Sequence, residues 1–100
     1  MHPFSLYTPE DVSRLLAQRL KEVRLSRKWK RSTLALRSGV SEASLKRFEQ
    51  TGQISLDSLL KLAFCLGRLD DVAGLFIPPP AASMEDLERR QERRPKRGSL

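Results

Sequence analysis

The densest run of functional side chains in this 100-residue sequence lies between Ser41 and Arg47, where two hydroxyls, a carboxylate, an ammonium and a guanidinium fall within seven positions. Such a set suits recognition of polar edges and phosphates. The residues that bond cleavage needs are sparse. One histidine, His2, and one cysteine, Cys65, cannot make a disulfide framework, a four-ligand zinc site or a catalytic triad within one chain. The sequence has no GxxxxGK[ST] phosphate loop, HExxH pair or aspartate-rich calcium loop. Glu10, Asp11, Asp57, Asp70 and Asp71 sit where helices are expected to start, which accounts for them without a catalytic pair. The expectation is therefore no enzyme, no metal and no cofactor, with Cys65 a buried, inert thiol inside an apolar stretch.

Charge narrows the partner further. The chain carries 19 Lys+Arg against 12 Asp+Glu, a formal net charge of +7. Arg19, Lys21, Arg24, Arg27, Lys28, Lys30, Arg31 and Arg37 stand against Glu22 alone, and residues 89 to 97 (RRQERRPKR) hold six more bases against Glu92. Patches of this kind attract polyanions, nucleic acid first, with anionic lipid or an acidic protein face behind it. No apolar run approaches the ~20 residues that span a bilayer. The opening MHPFSLYTPED also lacks the basic and continuous apolar regions of a signal peptide. A cytoplasmic chain with no membrane partner is expected.

The elements that must position these groups read as all helical. Leucine occurs 17 times against six Val and Ile together, and no stretch alternates apolar with polar residues as a half-buried strand would. Thr8 followed by Pro9, Glu10 and Asp11 predicts a helix start. That helix should run to about Lys28, turning Val12, Leu15, Leu16, Leu20 and Val23 to the core. A second helix over 31 to 38 is stopped by Gly39. Ser41 caps a third, over 42 to 50, with Leu45 and Phe48 inward. Ser55 caps a fourth, from Leu56 to Leu66, the most apolar and expected to be the most buried. Asp70 or Asp71 begins a short fifth reaching Phe76, which Pro78, Pro79 and Pro80 prevent from continuing. The boundaries are an N-terminal extension over 1 to 8, a helical domain over 9 to 80 and a basic tail over 81 to 100. The tail holds too few apolar residues to fold alone, although Ser83 and Asp86 resemble a capping box and residues 84 to 94 can turn helical on a partner.

Within that frame, two short helices meet at ArgSerGlyValSer (37 to 41), with Leu34 and Ala35 in close contact and Val40 plugging the angle. The geometry is that of a helix-turn-helix, an α-helix fits the major groove of B-DNA, and the third helix offers Glu42, Ala43, Lys46 and Arg47 outward. An ordinary αα-corner has the same pattern.

From about Leu16 to Phe76 the chain resembles the Cro/CI-type repressor family, also called XRE-type helix-turn-helix domains. The residues that carry the likeness are ArgLeuLysGluValArg at 19 to 24, ThrLeuAlaLeuArgSerGlyValSer at 33 to 41, LeuLysArgPheGlu at 45 to 49 and LeuLysLeuAlaPheCysLeuGly at 60 to 67. The resemblance implies a compact five-helix, lambda-repressor-like domain that binds double-stranded operator DNA as a two-fold homodimer. It places Glu42, Ala43 and Arg47 at base-reading positions: Arg47 for guanine O6 and N7, Ala43 for a thymine methyl, Glu42 for cytosine N4. It places Arg31, Ser41, Ser44 and Lys46 on phosphates, Arg31 standing where the family usually has a glutamine. Arg24 and Glu49 match a buried structural ion pair, and Trp29 a packing position. The sequence departs from the family in the negative charge of Glu42 and in the loop over 51 to 55, which lacks basic residues.

A small domain of this type followed by Phe-Ile-Pro-Pro and an Arg-rich end resembles, more narrowly, the HipB-type antitoxins. That implies autorepression of an operon and a complex with a HipA-like Ser/Thr kinase toxin, directly or with a separate small inhibitor subunit. The three prolines disfavour the terminal strand of some HipB-type chains, so the dimer contact is expected at Phe64, Leu69, Phe76 and Ile77. The alternative is a protein-interaction adaptor, or a non-specific DNA-binding protein, that uses the same scaffold and tail.

Overall fold

In a computed structural model, residues 7 to 80 are described. Five helices follow one another, α1 (Pro9–Ser26), α2 (Arg31–Ser38), α3 (Glu42–Thr51), α4 (Leu56–Cys65) and α5 (Leu69–Ala73), with no strand among the described residues. The fold is all-α, as the leucine-rich, non-alternating sequence predicts. The expectations for most of the N-terminal extension and for the tail, including its conditional helix, lie outside the described residues.

Local chemistry sets the helix ends. Thr8 Oγ1 accepts from the Asp11 N–H at 3.1 Å while Asp11 Oδ2 accepts from the Thr8 N–H at 3.0 Å, a reciprocal cap that satisfies two otherwise orphaned donors. Ser41 and Ser55 do the same one-sidedly, accepting from the N–H of Ser44 and of Ser58. α1 stops short of the expected Lys28. Lys28 itself takes a left-handed φ of 59°, and the Trp29 N–H turns back onto the Arg24 carbonyl at 3.3 Å, which brings the indole onto the core.

The core consists of Ala17, Leu34, Val40, Leu45, Phe48, Leu62 and Leu66, with Leu20, Val23, Trp29, Ile54, Leu59 and Cys65 packed around it. α1 lies on α3, α2 on both α3 and α4, and α5 on α4. Three expectations need correction. Val12 and Leu16 stay partly exposed: Val12 precedes Ser13 and Arg14, where the end of α3 packs, and Leu16 faces an open groove; the buried positions of α1 are Ala17 and Arg24. α4 is the most apolar helix but not a wholly buried one: Leu62 and Ala63 are covered, Leu56 and Phe64 are exposed, since neighbours cover only part of its circumference. α5 begins at Leu69 and closes before Gly74, whose N–H bonds back to the Asp70 carbonyl, rather than reaching Phe76.

Candidate nucleic-acid interface

The helix pair 31 to 51 is built from its buried side. Leu34 and Leu45 are fully covered, Val40 and Phe48 nearly so, and Gly39 takes a φ of 80° at the turn. With Leu45 and Phe48 inward at a spacing of three, helical geometry turns Glu42, Ala43, Ser44, Lys46 and Arg47 outward, and all five are exposed. Ser41 is exposed beside them, its hydroxyl 2.8 Å from that of Ser44. The structure thus brings the base-reading candidates and three of the four phosphate candidates onto one surface.

Arg47 is not a free arm. Its Nη2 donates to Gln53 Oε1 at 2.5 Å, while Thr51 Oγ1 donates to the Arg47 carbonyl and accepts from the Gln53 N–H. Gly52, in a left-handed conformation with φ 80°, folds the chain back over the last turn of α3 and delivers Gln53 there. Sequence reasoning does not single out Gln53, since the loop over 51 to 55 lacks basic residues; the glycine that ends α3 is the local signal for it. A shallow depression lined by Ser44, Arg47, Gln53, Ile54, Ser55 and Ser58 lies beside it.

The fourth phosphate candidate, Arg31, is partly committed elsewhere. Its Nε donates to Glu49 Oε1 at 2.9 Å, leaving about a third of the side chain exposed (35%). Glu49 also accepts from Arg24, at 2.8 Å from Nε and 3.0 Å from Nη2, and Arg24 Nη1 donates to the Trp29 carbonyl at 2.8 Å. The side chains of Arg24 and Glu49 are 6% and 2% exposed. The ion pair that the resemblance implied is present, enlarged to a triad that ties α1, α2 and α3 together. It also removes one cation from the surface charge of the segment 19 to 37.

Burial by itself pushes the Glu49 carboxyl up. The hydrogen bonds and positive charges of Arg24 and Arg31 outweigh that and hold it below the ordinary glutamate value. Because the unfolded chain then binds the proton more tightly, Glu49 contributes stability above its unfolded pKa and loses it as pH falls through the lower folded one. Unfolding free energy measured in urea is expected to fall as the pH is lowered below about 5, where the unfolded glutamate begins to take up its proton, and to fall less steeply in Glu49→Gln. Equal slopes in the two proteins would contradict the assignment.

Trp29 is half-buried against the core, with the Arg37 guanidinium 4.6 Å and the Arg27 guanidinium 5.5 Å from its ring centroid. Arg27 Nη2 also donates to the Leu66 carbonyl at 2.6 Å, closing the end of α4. These contacts give the tryptophan its packing role. Cys65 is half-buried rather than fully covered. Phe64, Leu69, Phe76 and Ile77 are all exposed, but Phe64 opens onto a cleft with Trp29, Arg37 and Lys61. The α5 side is bounded instead by a separate groove.

Among the described residues no group of three His, Cys, Asp or Glu could hold a metal ion, and no helix is long and apolar enough to cross a membrane. No protein-family model matches the chain, and no curated protein matches it either.

Proposed function

We propose that this chain is a sequence-specific DNA-binding repressor that places α3 in the major groove, acts as a two-fold dimer and has no catalytic activity. The carrying observation is the exposed row Glu42, Ala43, Lys46 and Arg47 on a helix locked from behind by buried Leu45 and Phe48. Three features support it. The helix is fixed to α1 and α2 through Glu49, so the row is presented rigidly. Gln53 preorganises Arg47, whose guanidinium matches guanine O6 and N7. α2 opens without a side-chain cap, and Arg31 adds charge where its first N–H groups favour an anion. Glu42 brings a negative charge towards the phosphates and costs affinity unless a base donor such as the cytosine amine meets it.

The narrower reading follows from the Arg-rich end and the Phe-Ile-Pro-Pro segment. The chain is a cytoplasmic HipB-like antitoxin that represses its own operon and binds a HipA-like kinase, directly or through a small inhibitor subunit. A kinase reading frame beside this one, and co-purification of its product, test that part separately.

Footprinting with two variants tests the site. Arg47→Ala is expected to lose about 1–3 kcal/mol of discrimination at one base pair per half-site, whereas Lys46→Ala weakens all sequences alike. Identical losses on operator and random duplex would reject the role of Arg47. Half-sites about one helical turn apart, or a multiple of it, are expected from a dimer.

A further inference from the structure

A groove of about 380 Å³ runs between α1, α4 and α5, walled by Leu16, Leu20, Val23, Leu59, Ala63 and Leu75, with Arg19 at its polar rim. Leu16 is 38% and Leu75 54% exposed along it. We propose that this groove is filled by the chain's own segment 83 to 88, with Met84 and Leu87 as the two apolar anchors.

Three observations select that occupant. Between Ile77 and Leu100 the only sizeable apolar side chains are Met84 and Leu87, three apart, so they share a face if the segment turns helical. The residues around them are Glu85, Asp86 and Glu88, acids in an otherwise basic tail, and they complement Arg19; the other rim arginine, Arg68, is already paired with Asp71 at 2.7 Å. Leu75, itself a wall of the groove, lies five residues before the last described residue, Pro80. Eight residues separate Leu75 from Met84, so the nine Cα–Cα steps between them reach up to ~30 Å, ample for a return. A tether this short gives the chain's own segment an effective concentration near the millimolar range, which favours it over a second copy.

Docking completes a core that the short α5 leaves open. It also fixes the base of the arginine block, which starts two residues beyond Leu87, against the α1 side of the domain instead of at the end of a free tether. The inference is independent of DNA binding.

Methyl-labelled full-length protein tests it by nuclear magnetic resonance. Cross-peaks are expected from the Met84 methyl to Leu16 and Leu75, persisting when labelled chains are diluted with unlabelled ones. The M84D/L87D variant should abolish them, shift the Leu16, Leu20 and Leu75 resonances, leave those of core Leu34 and Leu45 in place, and lower the melting temperature by several degrees. Arg19→Glu should weaken docking, and E85R/D86R added to it should restore it. Absent cross-peaks, groove resonances indifferent to M84D/L87D, or cross-peaks seen only between differently labelled chains would each overturn the proposal, the last by assigning the groove to a second copy.

Discussion

Replacing Glu49 with alanine is expected to lower the unfolding free energy by about 3–5 kcal/mol, because it strands a buried guanidinium. Arg24 is almost wholly covered, and two of its three nitrogens bond Glu49; without the carboxylate only the Trp29 carbonyl remains for it. Arg31 loses its partner as well, at a smaller cost, since it can turn to water. A small domain has only about 5–15 kcal/mol in total, so the variant should melt far below the parent. The double variant Arg24→Met with Glu49→Leu separates the stranded charge from the net value of the pair. It is expected to be more stable than either Arg24→Met or Glu49→Leu alone, since two matched apolar side chains leave no buried charge. Urea unfolding at pH 7 measures all of these. A loss below about 1 kcal/mol in Glu49→Ala would mean that water reaches Arg24 easily and that the triad does not hold α3.

Gly52→Ala should rank next, at about 2–5 kcal/mol, and Gly39→Ala should cost distinctly less. Both glycines have a φ of 80°, where an L-residue pays roughly 1–2 kcal/mol. They differ in what surrounds them. A Cβ at Gly39 meets nothing within 4 Å, so only the backbone penalty applies. A Cβ at Gly52 would lie 2.8 Å from the Ser13 backbone carbon and 3.0 Å from the Arg14 nitrogen, so α3 and α1 must separate, adding about 1–3 kcal/mol of overpacking. Since Gly52 also delivers Gln53 to Arg47, the variant should loosen the Arg47 side chain. Equal destabilisation at the two glycines would show that the approach of α3 to α1 is not the constraint.

How much of this was legible in the sequence depends on whether the signal was local. The caps Thr8, Ser41 and Ser55, the stop at Gly39 and the inward pair Leu45 and Phe48 are short-range chemistry, and the helices start where those residues predict. Lys28 ended α1 early because the left-handed position fell on a residue with no marked preference for it. α4 exposed Leu56 and Phe64 because apolar content says how much a helix can bury, while its neighbours decide how much it does. At the candidate site the outward row followed directly from helical spacing. Gln53 and the second commitment of Arg31 did not, since both depend on how the loop after α3 and the start of α2 come together in space. The likeness of Arg24 and Glu49 to a family pair anticipated their contact, but not its extension to Arg31.

Under the proposed function, the row Glu42, Ala43, Lys46 and Arg47 reads a base sequence. Selecting duplexes from a random-sequence pool with the full-length protein, then measuring binding over a salt series, tests it most directly. An enriched motif with two-fold symmetry is expected, bound roughly 10³-fold or more tightly than unrelated duplex. Log K for that motif should fall with log salt by ~0.9 per phosphate neutralised. No enriched motif and equal affinity for every duplex would contradict it, leaving the basic segments to bind polyanions without reading them.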